Sequence, residues 1–301
     1  MADLAQTRVA PFAVPRTRRR KLSWAWLGIL PFLVFALLFL ILPTFNLIAG
    51  AFQTPDGSFT LDNIRRLNQP QILRAYKTSI QLSLAAAVLG AFFGSLLAWA
   101  VVMGRVPSFL RPLVTTFSGV ASNFAGIPLA FAFIATLGPV GLITKEFFLD
   151  GLGINLRGLG FNLLSFWGLT LTYLYFQIPL MVLILMPALD GLKKEWREAA
   201  AILGASPSQF WLYVALPVLW PSLLGTTILL FANAFGAIAT AYALTGPALN
   251  IVPILLYAQI RGDVLHDPHL GYALALGMIV ITGLANVTYI WLRARGERWI
   301  R

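Results

Sequence analysis

Glu198-Ala199-Ala200, three residues, Gly204, nine residues, then Val214-Ala215-Leu216-Pro217: this stretch decides how the chain is read. It sits in a water-compatible segment, Asp190 to Pro217, of an otherwise apolar sequence. Leu192, Trp196, Ala199 and Leu203 recur at helical spacing, which predicts a short helix with one narrow apolar stripe and Asp190 as its N-cap. Lys193, Lys194, Arg197 and Glu198 lie away from that stripe. Gly204 stands where helices commonly end in a left-handed conformation. Ser206-Pro207-Ser208-Gln209 offers a second start, with Ser206 as N-cap, Pro207 at the first helical position and Gln209 as the capping-box partner. Leu216-Pro217 and Pro221 are expected to stop that second helix and redirect the chain. The segment therefore reads as helix, corner, helix.

Around it, hydrophobic residues make up 58% of the chain and charged residues 11%, well below the roughly 25% charged usage of soluble domains. Apolar stretches near Leu27 to Leu47, Ile80 to Val102, Leu113 to Leu137, Leu164 to Met186, Leu223 to Leu244 and Leu270 to Leu292 are each long enough for the roughly 20 helical residues that cross a hydrocarbon layer. Lipid offers no partner to backbone N–H and C=O groups, and the alternation of a membrane β-strand is absent, so the expected fold is an all-α polytopic membrane protein with six transmembrane helices. Pro31, Pro43, Pro128 and Pro179 can kink these spans, and Gly90 with Gly94 permits close helix approach. The segments between spans are too short for a separate soluble domain.

The net charge of +11 is distributed by topology rather than as a nucleic-acid footprint. With a cytoplasmic N-terminus, inside segments hold 15 Lys and Arg and outside segments 7, the asymmetry of the positive-inside rule. Both termini and the Glu198 loop are then cytoplasmic. Residues 1–21 form a basic tail and residues 22–301 a six-helix membrane unit whose long inside loop covers 189–222. The run Arg18-Arg19-Arg20-Lys21 anchors the first span; that span, of about 21 residues, is too long for a signal-peptide core.

Catalysis has little to work with. There is no cysteine, no paired-carboxylate or Ser/His/Asp constellation, and no G-x-x-x-x-G-K-[ST] phosphate loop, so a non-enzymatic chain without its own ATP site is expected. His266 and His269, beside Asp263 and Asp267 in an outside loop, read as ordinary loop residues rather than a metal centre. No Asp, Glu, Lys or Arg falls inside the six stretches, which disfavours the main alternative, an ion-coupled secondary transporter. Polar candidates for a solute pathway are Asn123, Tyr173, Gln177, Asn233, Thr240 and Tyr242, of which Tyr173 and Tyr242 could hold a cation against an aromatic face.

The spacing E-A-A, x3, G, x9, I-x-L-P, with Val214 in the Ile position, resembles the cytoplasmic signature loop of importer permeases in the ATP-binding-cassette superfamily. The resemblance implies the type I importer permease fold and a bacterial inner-membrane location. It also implies assembly with a second homologous permease, two ATPase subunits that bind ATP and Mg, and an external solute-binding protein. Glu198, Ala199, Ala200, Leu203 and Gly204 would couple this chain to the ATPase. Phe59-Thr60-Leu61-Asp62-Asn63, and Phe231 to Gly236 with Thr245-Gly246-Pro247, look most like the spermidine/putrescine branch, which also carries phosphonates and opines and implies a small polar or charged solute, polyamine-like first. A rival reading of the loop is an amphipathic helix on the membrane, with Lys193 and Lys194 toward anionic lipid.

Overall fold

The computed structural model describes residues 27–104, 106–261 and 266–296; the basic tail expected at 1–21 lies outside them. Secondary structure among the described residues is helical, apart from one isolated bridge between Gln53 and Phe59. In chain order the helices are α1 Leu30–Gly50, α2 Asp62–Arg66, α3 Pro70–Met103, α4 Leu110–Ala121, α5 Ile127–Leu137 and α6 Ile143–Gly151, the last wound as a π-helix. Then follow α7 Phe166–Asp190, α8 Lys194–Ile202, α9 Pro207–Gly236, α10 Ile238–Thr245, α11 Val252–Arg261 and α12 Pro268–Gly296. Five of these are long and apolar enough to cross a membrane, or six if the bent pair α10 and α11 forms one span.

Two expected spans are broken. Leu113 to Leu137 is interrupted at residues 122–126, between α4 and α5, where Gly126 takes φ +80° and ψ −150°. Leu223 to Leu244 is interrupted at Ala237, between α9 and α10. The outside loop expected at 245–269 instead contains α11, set at 83° to the helical segment Ile238–Ala248 before it. Conversely, Pro217 and Pro221 do not stop a helix: the helical run from Pro207 continues to Gly236 through a π-turn at Trp211–Ala215. Proline removes one N–H and crowds the preceding turn, and a wider turn just upstream absorbs both effects. The same device recurs in α1, where a π-turn at Leu37–Ile41 precedes Pro43.

Met1–Asn46 and Leu47–Arg301 form separate compact units. In the larger one α3 and α7 pack along one another, α9 crosses both, and α12 lies on α9. The α3 face toward α7 is a stripe of small buried residues, among them Ser83, Ala87, Gly90 and Gly94. A Cβ added at Gly94 would lie 2.5 Å from Met181 Cβ and 2.8 Å from the Ile178 carbonyl oxygen. Backbone approach of this kind is how helices gain contact in lipid, where apolar burial supplies little drive. Replacing Gly94 with leucine overpacks the seam and is expected to destabilise the protein by about 1–3 kcal/mol. A thermal melt in detergent should show the drop; an unchanged melting temperature would contradict the packing.

The end of the molecule near residues 50–66 is tied by polar contacts. Asn63, buried, donates from Nδ2 to the carbonyls of Ala51 (3.3 Å) and Gln53 (2.9 Å), and Phe59 stacks on Phe52. Arg66 pairs with Asp267 at 2.7 Å, and Asp267 Oδ1 accepts from Leu270 N–H at the start of α12. Partial burial pushes the Asp267 carboxyl up, but the Leu270 N–H and Arg66 outweigh it and hold it below the usual range. His269 Nδ1 lies 3.3 Å from the Gly50 carbonyl oxygen; Asp263 is outside the described residues.

Candidate coupling loop and solute pathway

The signature segment folds as a helix, a corner and a second helix. The N-cap of α8 is Lys193, not Asp190; Asp190 is the last residue of α7 and its carboxylate is bound by Arg111. At the other end Gly204 has φ +78°, its N–H donates to Ala201 O (3.0 Å), and Ala205 N–H donates to Ala200 O (2.9 Å). These are the two bonds of a Schellman ending, in which a left-handed glycine lets the next N–H groups reach back to orphaned carbonyls. The interval between the alanine pair and Gly204 is thus fixed by helix termination. Ser206 then closes a full capping box with Gln209: Ser206 Oγ accepts from Gln209 N–H (3.3 Å) and Gln209 Oε1 accepts from Ser206 N–H (2.7 Å).

The predicted apolar stripe divides in two. Leu192 packs against the core and Trp196 is half-buried, whereas Ala199 is exposed and Leu203 is 86% exposed. Neighbouring Ile202 is 87% exposed. Two large apolar side chains therefore project from a charged loop with nothing of this chain over them. Glu198 is exposed and makes no ion pair or hydrogen bond among the described residues.

The two broken spans meet. Gly126 N–H, at the first break, donates to Thr240 Oγ1 at 2.7 Å, one turn into α10 beyond the second. Tyr173 Oη donates to the Ala237 carbonyl at 2.6 Å, and Gln177 Nε2 donates to the Leu230 carbonyl at 2.7 Å. Each interruption frees backbone groups, and side chains of α7 and α10 re-satisfy some of them, the condition for irregular backbone at membrane depth. Between the breaks lies a pocket of about 420 Å³ lined by Ser122, Gly126, Phe176, Asn233, Ala237 and Thr240, among others, with no carboxylate and no cation. The first N–H groups of α5 and α10 belong to helix starts, which carry partial positive charge.

Of the six polar candidates, Asn233 and Thr240 line this pocket and Gln177 backs it, its Oε1 3.4 Å from Asn233 Nδ2. Asn123 is exposed and turns back to the Gly119 carbonyl at 3.0 Å. Tyr242 packs against Tyr257 with the rings tilted by 52° and their centroids 4.9 Å apart. Tyr173 is 1% exposed and engaged with Ala237, so it offers no open ring face, and the cation-holding role expected for it does not stand. Sequence reasoning missed Gly126 and Ala237. The signal available for the first was Gly126-Ile127-Pro128 inside an apolar stretch: proline suits the first helical turn, and glycine supplies the backbone conformation before it. Replacing Tyr173 with phenylalanine leaves the Ala237 carbonyl without its donor. It is expected to lower stability by about 1 kcal/mol, read as a fall in melting temperature; no change would mean the bond adds nothing to the break.

Residues 90–301 match the family described as binding-protein-dependent transport system inner membrane component. The chain belongs to this family. It shares the all-α type I importer permease fold: the structure superposes, at TM-score 0.66 and 19% identity over 91% of this chain and 95% of the other, on a bacterial ABC transporter involved in import of the acidic polysaccharide alginate. As in its relatives, the chain is a non-catalytic permease subunit and ATP hydrolysis resides in a separate subunit. A probable sulfate transport system permease protein (cysT) of Anthoceros angustus is 30% identical over 67% of this chain and 65% of its own length. Another, of Nephroselmis olivacea, is 27% identical over 94% of each chain. A molybdenum transport system permease protein, ModB, of Mycobacterium tuberculosis is 27% identical over 72% of this chain and 76% of its own. These relatives are named for sulfate and molybdenum, not for spermidine or putrescine.

Proposed function

We propose that this permease forms half of an ATP-driven import pathway for a small oxyanion of the sulfate or molybdate class. The observation that carries the solute class is the carboxylate-free pocket between two interrupted spans, onto which two helix starts converge. Helix N-termini favour negative charge, and half-helices of this kind face anionic solute groups in other carriers. The sulfate and molybdenum permeases among the relatives support the same class.

In this reading residues 189–222 face the cytoplasm with both termini, and an ATPase closes around Ile202, Leu203 and Glu198. Closing of the ATPase pair displaces α8 and the Gly204 corner, and α7 and α9, attached on either side, shift the pocket from outward to inward access. A second permease of the same fold supplies the other half, and a solute-binding protein delivers the anion from outside. Asn233 and Thr240 touch the passing solute, while Tyr173 holds the break at Ala237 and Gln177 fastens α7 to α9. The test is uptake into vesicles containing the whole transporter and its binding protein. Radiolabelled sulfate or molybdate should accumulate with ATP and resist competition by spermidine. Accumulation of spermidine, with neither anion transported, would refute the solute class.

A further inference from the structure

Helix α8 has two unlike sides. Arg197 lies four residues after Lys193, and Ala200 and Ala201 lie three and four residues after Arg197, so the four share a face. All four line a cavity of about 580 Å³ between the loop and the ends of α3 and α7. The other side carries Glu195, Ala199 and Ile202, at the same steps, and none of these lines the cavity. The floor is apolar and includes Trp99 and Met103 of α3, Leu189 of α7, and Phe210 and Trp211 of α9. Three cations, Lys193, Lys194 and Arg197, stand at its rim, and Asp190, its one carboxylate, is already bound by Arg111. None of the three cations has a carboxylate partner among the described residues. The cavity thus combines unneutralised positive charge with an apolar interior at the depth where the long apolar helices α3 and α7 end.

We propose that this cavity binds an anionic phospholipid of the inner leaflet, its headgroup phosphate on Lys193, Lys194 and Arg197 and the start of an acyl chain over Trp99 and Trp211. The proposal rests on the cytoplasmic placement of residues 189–222 given above. Basic pockets between membrane helices on the cytoplasmic side suit anionic headgroups, and tryptophan is favoured at the bilayer interface. The ATPase is the competing occupant, but the projecting Ile202 belongs to the opposite side of α8. One helix therefore meets a lipid on one side and a protein on the other.

The experiment uses the assembled transporter, stripped of lipid in detergent, returned to phosphatidylglycerol or phosphatidylcholine, and read by native mass spectrometry for retained lipid. Wild type is expected to retain phosphatidylglycerol in preference to phosphatidylcholine. The triple substitution Lys193→Gln, Lys194→Gln, Arg197→Gln should weaken that retention by about 100-fold, from three lost headgroup contacts. Lys193→Arg with Lys194→Arg should restore it. Equal retention of the two lipids by wild type, or of phosphatidylglycerol by wild type and triple variant, would overturn the proposal. Displacement by millimolar inorganic phosphate would assign the site to a soluble anion instead. Retention seen only after the ATPase is removed would assign it to the protein interface. Placement is read separately, through Ser208→Cys in this cysteine-free chain: impermeant maleimide should label it only in inside-out vesicles. Labelling from the outside would reject the cytoplasmic placement, independently of the lipid counts.

Discussion

Glu198→Lys is expected to reduce ATP-driven uptake by roughly 30-fold or more while the amount of folded permease in the membrane stays at the wild-type level. The two halves of that expectation have different physical origins. Among the described residues Glu198 is exposed and has no partner, so its replacement disturbs no contact there, and exposed substitutions of this kind change stability by about ±0.5 kcal/mol. Across an interface, by contrast, losing one member of a hydrogen-bonded charge pair costs about 2–5 kcal/mol, and each 1.4 kcal/mol is about tenfold. Reversing the charge adds repulsion to the loss. Three measurements together separate these effects: membrane content of the permease, ATPase retained on purification, and uptake of labelled sulfate or molybdate in vesicles. Wild-type uptake by the variant would remove Glu198 from the coupling surface. Poor membrane content would instead mean that the residue serves folding.

Gly126→Val is expected to be the most damaging single change in the pathway. At φ +80° and ψ −150° the backbone occupies a region that is essentially restricted to glycine, and a β-branched side chain fits it worst. Such strain costs about 1–3 kcal/mol. Relieving it rotates the peptide whose N–H reaches Thr240, so the bond joining the two breaks is lost as well. A Cβ at this position meets only Ala239 Cβ at 3.7 Å and Pro128 Cδ at 4.0 Å, so crowding is a small part of the effect. Gly126→Ala should consequently fall between wild type and Gly126→Val in both melting temperature and uptake. If all three proteins melt alike, the break does not depend on the glycine conformation.

How much of this was readable from the amino acids differs by element. The α8 corner was legible almost residue by residue, because Gly204, Ser206, Pro207 and Gln209 act through local backbone geometry that sequence spacing fixes directly. The N-cap failed for a tertiary reason: Asp190 is held by Arg111, which is distant in sequence, and the N-cap of α8 falls three residues later, at Lys193. The spans were legible as apolar stretches, but hydropathy sums over a window and does not register a break of a few apolar or small residues such as Ser122 to Gly126 or Ala237. Pro217 misled in the opposite direction, since an adjacent π-turn carries the helix through it. Among the pathway candidates, Asn233 and Thr240 were found because a polar side chain in an apolar span is conspicuous. Gly126 and Ala237 contribute chiefly backbone, which side-chain chemistry does not reveal. The resemblance to the spermidine/putrescine branch finds no support in the relatives named above, and the absence of carboxylates in the spans was already visible and is unfavourable to a polycation.

One consequence follows from the unbroken helical run Pro207–Gly236. Its 30 residues form a rod about 45 Å long at 1.5 Å per residue, with the Gly204 corner just before one end and the Ala237 interruption at the other. With the rod turning as one body, a pivot of about 5° at the corner would sweep the far tip through about 4 Å over that length. That is larger than the 2.7 Å bond between Gly126 and Thr240 that fastens the interruptions together. In the proposed cycle, a small stroke at the loop is therefore enough to part Gly126 from Thr240, without melting any helix along the way.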